Sequence, residues 1–292
     1  MSIFGTERTG SCLQKFEPGS SYKTDSHELA LKIRKHVVGM IYNSRASHIA
    51  SALSVADILA VLYADILRID TSNPQMTDRD RFILSKGHAG AAIYAALAEV
   101  GFFPVEKLKT YYMNGNVYSG HVSHKGVPGV EISTGSLGHG MAIACGMAMA
   151  ARSMNRPFHT YVIVGDGECN EGVVWETALV ANQYALNDFT VVVDRNGMQA
   201  MGRSEDLMQM EPFADKWHSF GWDVIDVPDG HDHELLREAF FRPKTGHPRC
   251  IIARTVKGKG ISYMENNLLW HYKYPEGALY EQAVAELEGR RI

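Results

Sequence analysis

Five short runs dense in β-branched and aromatic residues punctuate the chain: RFILS at 81–85, YVIVG at 161–165, FTVVVD at 189–194, WDVIDV at 222–227 and CIIARTV at 250–256. Stretches with helical spacing of apolar residues lie between them. Strands that alternate with helices of this length predict an α/β fold, a parallel sheet with helices on both faces, because parallel neighbours need crossovers and these pack back onto the sheet. Such sheets bind ligands beyond the carboxyl ends of their strands. The 292 residues contain no internal repeat or low-complexity tract and can bury a large core, so 1–292 is read as a single domain.

Helix signals fill the intervals. Residues 26–42 place Leu29, Ile33, Val37 and Ile41 on one stripe, with Asp25 and Glu28 spaced for its cap. In SALSVADILAVLYADILR, at 51–68, Ser54 and Asp57 form a capping-box signature ahead of an apolar helical run. KGHAG then reads as a turn, followed by helices over AAIYAALAEVGFF, VVWETALVANQYAL and HELLREAFF, with AVAELEGRRI closing the chain as a last helix.

Two strand ends carry oxygen donors. YVIVG runs into DGECNEG, which clamps Asp166 between Gly165 and Gly167, and the run FTVVVD stops at Asn196, thirty residues after Asp166. A lone GDG is usually an ordinary turn, and an Asp after a strand is often a helix cap. The pairing with a second strand-end Asn across one helix shifts the balance. Magnesium seeks oxygen ligands and commonly takes one or two side chains plus substrate phosphate oxygens. Bare backbone at Gly165 and Gly167, with a helix starting after Gly172, suits the approach of a phosphate. The residues predict a site for a magnesium diphosphate.

Together with SHIASALSVADILAVLY, DRFILSKGHAG, GHVSHKGVPGVEISTGSLGHG and TVKGKGISYMENNLLWH, the segments GDGECNEGVVWE and VVVDRNGMQ resemble, in order, the diphosphate-binding half of transketolase in its form split over two polypeptides. The resemblance covers nearly the whole chain and implies thiamine diphosphate with Mg2+ (or Ca2+) as cofactors. By the same resemblance Asp166 and Asn196 would ligate the metal through side chains and Met198 through its carbonyl. Gly167, Glu168, Gly135, Ser136, Leu137 and His88 would line the cofactor. His48, His121 and His271 would face the substrate as catalytic residues, and Glu171 and Glu176 would lie at the subunit interface as a proton relay. The activity implied is transfer of a two-carbon ketol unit from a ketose to an aldose. The domain that supplies the remaining groups in this family is absent before Ile292, which implies that the partner is a C-terminal transketolase subunit, in a heterotetramer.

Composition limits the alternatives. A net charge of −4, from 29 basic and 33 acidic residues with no run of one sign, gives no footprint for nucleic acid or an anionic membrane. Cys12, Cys145, Cys169 and Cys250 form no C-x-x-C pair, which argues against a disulfide framework or zinc site and for a reducing cytoplasm. The first twenty residues lack a signal-peptide core, and GMAIACGMAMAA at 140–151 is too short and glycine-rich to span a bilayer, so it reads as a helix in a soluble interface.

Of the 13 histidines most are expected on the surface or in packing, His36 and His231 among them, with His124 and His139 open between roles. KGKG at 257–260 lacks P-loop spacing and reads as a lid hinge. The segment departs from the family where Ser47, Ala50 and Ser51 replace glycine-rich sequence, and where Tyr272 and Tyr274 follow the last histidine; both changes are expected to reshape the substrate pocket. A variant transketolase for a deoxy or sulfonated ketose, a 2-oxo acid dehydrogenase subunit or deoxyxylulose phosphate synthase, and a non-enzymatic regulatory subunit stand as the other readings.

Overall fold

The computed structural model describes residues 24–289. Cys12, the expected lack of a leader and the last three residues of the expected terminal helix lie outside them. Five parallel strands, β1 (Arg81–Leu84), β2 (Thr160–Gly165), β3 (Phe189–Arg195), β4 (Asp223–Val227) and β5 (Arg249–Arg254), form one sheet in the order β1-β2-β3-β5-β4.

Successive residues of a strand point to opposite faces, and here both faces are apolar. In β3, Val191 and Val193 join one core and Val192 the other; in β5, Cys250 and Ile252 face the first and Ile251 and Ala253 the second. This is why the strands read as continuous apolar runs. One face is covered by α1 (Ser26–Ser44), α2 (Ile49–Ser54), α3 (Ala56–Val61) and α4 (Gly90–Glu99). Across the sheet lie α5 (His139–Ser153), α6 (Gly172–Gln183) and, after the single turn α7 (Ser204–Leu207), α8 (Phe213–Ser219). α9 (His233–Phe241) and α10 (Ala278–Leu287) complete the first layer.

The cap on α1 forms as expected at Asp25, which accepts from the N–H groups of His27 and Glu28. Glu28 instead pairs with Lys32. The helical run expected after Ser54 forms, as α3 continued by a π-helical turn, Leu62–Ile66, while the residues before it belong to a separate short helix, α2. Ser54 and Asp57 make no capping box because both side chains are taken by distant partners. Ser54 Oγ donates to Asp194 at 2.6 Å, and Asp57 is held by Arg34, His231 and His233. Cys145, Cys169 and Cys250 are free and buried. No helix among the described residues is long and apolar enough to cross a membrane.

Candidate functional site

A cavity of about 250 Å³ opens at the carboxyl ends of four neighbouring strands. Lys86 and His88 follow β1; Asp166, Gly167 and Glu168 follow β2; Asn196, Met198 and Gln199 follow β3; Lys257 follows β5. His48 and Ser51 enter from α2, His121, Gly135 and Leu137 from the segment between α4 and α5, and His271 from a 3₁₀ turn, Leu268–His271. In-register pairing of β2 with β3 sets Gly165 beside Asp194, so the residues just beyond the two strands emerge together.

Asp166 is 3% exposed and takes part in no salt bridge among the described residues. Its Oδ1 accepts from Gly167 N at 2.9 Å, and its Oδ2 from Gly197 N at 2.7 Å and Ser204 Oγ at 3.1 Å. Burial and the charge of Asp194 push its carboxyl above the ordinary range, against those hydrogen bonds. The Asn196 amide oxygen accepts from Met198 N at 3.1 Å, fixing the turn that brings both groups to one rim. A Cβ on Gly167 would come within 2.8 Å of Gln199 Cγ, so only glycine leaves this approach open. A buried, unneutralised carboxylate beside an amide oxygen is a donor set that a hard cation fits. No group of three or more His, Cys, Asp or Glu side chains that could hold a metal occurs among the described residues, so a cation here would need oxygen donors beyond such side chains.

Glu168 lies in the cavity wall with its carboxylate turned into protein. It accepts from Ser85 Oγ, from Gly138 N at 2.7 Å and from Gly165 N at 3.0 Å, which ties the ends of β1 and β2 to the start of α5. Its expected place at the cofactor is therefore a supporting one.

Two buried lysines were not anticipated from the sequence. Lys86 is 1% exposed and donates to Asp194, which is fully buried and also accepts from Ser54 and Thr255. Lys257, also 1% exposed, donates to the carbonyls of Met198 at 3.2 Å and Gln199 at 3.0 Å. Burial and the neighbouring Lys86 lower the Lys257 ammonium to about 8. Both lysines stand in segments singled out for other reasons, SKGHAG and KGKG. The available signal was a lysine two or three residues past the end of a strand with an apolar middle. KGKG is no hinge: Gly258 N donates to Ala50 O at 3.0 Å, and a Cβ on Gly258, at φ +85°, would sit 2.3 Å from Met264 O.

The four histidines chosen from the motifs meet. Ring centroids lie 4.9 Å apart for His48 and His271, 5.4 Å for His48 and His88, 5.5 Å for His48 and His121, and 5.9 Å for His88 and His271. Burial, then mutual repulsion with His121, Lys257 and Lys86, lowers His48 to about 4 and, with Lys257 and His48 as neighbours, His271 to about 3; His88 and His121 are lowered in the same sense. All four rings are neutral at pH 7. His48 holds a left-handed backbone, φ +73°, an uncommon conformation for a residue with a side chain and one that clusters at functional sites. Ser47 Oγ meets its Nδ1 at 2.9 Å, and His48 N donates to His271 O at 2.8 Å. His271 Nδ1 is buried without a hydrogen-bond partner, an unmet polar atom that a ligand can satisfy.

Other residues fall outside the cavity lining. Ser136 is exposed and its hydroxyl meets His139 Nδ1 at 3.2 Å, at the start of α5. Glu171 and Glu176 are exposed on and beside α6. His124 pairs with Ser133 on the surface, and His36 with Glu99. Of the three residues expected to narrow the pocket only Ser51 lines it; Ala50 is fully buried and Ser47 serves His48. Tyr272, 63% exposed, lies against His271 at 4.8 Å on the rim, whereas Tyr274 packs against the core and away from the pocket.

The family described as "Transketolase, thiamine diphosphate binding domain" matches residues 26–287. The chain is 40% identical to a subunit of the apulose-4-phosphate transketolase of Phocaeicola vulgatus, over 89% of this chain and 92% of that one. It is 38% identical to a 6-deoxy-6-sulfo-D-fructose transketolase subunit of a Clostridium species, over 92% and 98% of the two. A solved transketolase from Leishmania mexicana superposes with a TM-score of 0.85 at 31% identity, covering 92% of this chain but 42% of that one.

Proposed function

The chain belongs to the transketolase thiamine diphosphate-binding family, and on that premise we propose that it is the cofactor-holding subunit of a two-chain transketolase, moving a two-carbon ketol unit from a ketose to an aldose. The observation that carries this reading is the convergence, in one cavity, of the Asp166–Asn196 oxygen pair and four neutral imidazoles.

Thiamine diphosphate, when bound, supplies the electron sink on which a carbon–carbon bond breaks. The residues of the chain do the rest. Asp166 and Asn196 would hold Mg2+ (or Ca2+), and the cation would relieve the buried charge on Asp166. The Met198 carbonyl, which accepts from Lys257 at 3.2 Å, keeps a second lone pair with which it would serve as a further ligand. Gly135, Leu137, Gly167 and His88, all in the cavity lining, would hold the cofactor, and Ser136 would contribute through the segment it shares with Leu137. Neutral His48, His121 and His271 would bind and orient sugar hydroxyls. At pH 7 each can accept a proton at one ring nitrogen while donating at the other. Ser47 occupies Nδ1 of His48, leaving Nε2 for the substrate.

The chain matches nearly the whole of two relatives named as subunits but 38% of the Homo sapiens transketolase. That pattern supports a partner in the form of a separate C-terminal transketolase subunit, the two assembled as a heterotetramer. Glu171, Glu176 and the exposed apolar Ile143, Leu179 and Val180 on α5 and α6 would form its docking face. Reduced buried thiols agree with a cytoplasmic setting. Because both subunit relatives are named for unusual sugars, and Tyr272 stands on the rim, a deoxy or sulfonated ketose is the favoured donor class.

The test is a coupled assay of the aldehyde released from fructose 6-phosphate, xylulose 5-phosphate, apulose 4-phosphate and 6-deoxy-6-sulfofructose. It is run with this chain, with its partner and with both. Turnover only from the pair is expected. Turnover by this chain alone, or none with any ketose from a thiamine diphosphate-loaded pair, would refute the proposal.

A further inference from the structure

One carboxylate outside the cavity holds both ends of the turn that carries Lys257. Asp57, on α3, is 5% exposed. Its Oδ1 accepts from Arg34 Nη1 at 3.0 Å and His233 Nε2 at 3.1 Å; its Oδ2 accepts from His231 Nδ1 at 2.6 Å and from Arg34 Nη2. Two of these donors reach further. Arg34 Nε donates to Lys259 O at 3.1 Å, and the N–H of Val256 donates to His231 Nε2 at 2.8 Å. An imidazole that accepts at Nε2 must carry its proton at Nδ1, so the bond to Asp57 selects the tautomer that Val256 requires.

Val256 and Lys259 bracket Lys257 and Gly258. From that bracketed position the Lys257 side chain crosses into the cavity and meets the Met198 and Gln199 carbonyls just past Asn196. The carboxylate has a support of its own: His233 is fixed through Nδ1 to Ser26 Oγ at 2.7 Å, its ring is stacked on His27 at 3.8 Å, and Arg237 Nη2 donates to the same hydroxyl at 2.6 Å. A lysine has four rotatable bonds and a mobile head, so where its ammonium rests depends on how firmly its backbone is held.

We propose that Asp57 is a positioning residue for the cation side of the cavity: through Arg34 and His231 it fixes both ends of the 256–259 turn and thereby the place of the Lys257 ammonium. The inference rests on the reading of the cavity as a diphosphate site. It assigns a role at that site to α1, α3 and the segment before α9, none of which lines the cavity.

His231 offers the cleanest test, since Asp57→Asn leaves the buried Arg34 without its partner and can unfold the chain. The full chain is acylated with N-hydroxysuccinimidyl acetate, and the labelling rates of Lys86 and Lys257 are read by mass spectrometry. Affinity for inorganic pyrophosphate with Mg2+ is read by calorimetry. In His231→Leu, Lys257 labelling should rise about tenfold against an unchanged Lys86, and pyrophosphate affinity should fall about tenfold, the size typical for losing an outer-layer partner. His231→Gln, whose amide can donate to Asp57 and accept from Val256, should restore both. Equal acceleration at Lys86 and Lys257, unchanged Lys257 labelling, or no recovery in His231→Gln would overturn the proposal. If the wild-type chain and its partner bind neither pyrophosphate nor thiamine diphosphate, the functional reading fails, while the labelling contrast still decides whether His231 holds the turn.

Discussion

A buried carboxylate without an ion-pair partner is the least comfortable group in the cavity, and Asp166 is that group. Replacing it by Asn keeps the shape and removes the charge. Asp166→Asn relieves the buried charge but turns one acceptor into a donor facing Gly167 N or Gly197 N, so the melting temperature of the ligand-free chain should change little, while Mg2+-dependent thiamine diphosphate affinity drops by about tenfold or more. Calorimetric titration beside a thermal melt separates the two effects; a lower melting temperature with intact affinity would remove Asp166 from the metal site. The imidazoles supply a pH signature. His48 and His271 titrate near 4 and 3 in the folded chain and near 6.5 when unfolded, so between those values the unfolded state binds more protons. Their contribution is complete above about pH 6.5 and is lost progressively as pH falls toward 4. Asp166 and Glu168, raised by burial, act in the opposite sense. Denaturant midpoints from pH 7.5 to 4.5 should fall less steeply in a His48→Gln, His271→Gln double variant than in the wild type.

Among elements, the strands were the most legible, because burial on both faces writes an uninterrupted apolar run and the run's end marks where a ligand can sit. Asp166 and Asn196 were found in this way. The capping box at Ser54 and Asp57 was misjudged because the two have the spacing of a local cap, yet Ser54 donates to Asp194 and Asp57 accepts from Arg34, His231 and His233, partners that local spacing does not reveal. Lys86 and Lys257 escaped notice because lysine reads as a surface residue until a buried partner is seen. Lys86 links the turn after β1 to the end of β3 through Asp194, and breaking a buried pair leaves a bare charge behind. Lys86→Met should lower unfolding free energy by about 3–5 kcal/mol, visible as a reduced urea midpoint. A midpoint near that of the wild type would mean that Ser54 and Thr255 suffice for Asp194.

At the scale of the molecule, the outward faces of α5 and α6 present Ile143, Leu179 and Val180, at 43%, 58% and 41% exposure. Leu179→Arg should abolish co-purification with the partner chain and leave the circular dichroism of the isolated protein as it was. Retained assembly would place the interface elsewhere. The bond from His48 N to His271 O joins two distant stretches of the chain across the cavity. A ribosome emits His48 before the first strand and His271 only after the last, so the nascent chain carries its first catalytic candidate, bent to φ +73° in the finished fold, through the synthesis of the entire sheet without the wall it leans on. The imidazole cluster is thus a late product of synthesis: a chain stalled before residue 271 already carries all five strands and the Asp166–Asn196 pair, but lacks the fourth ring.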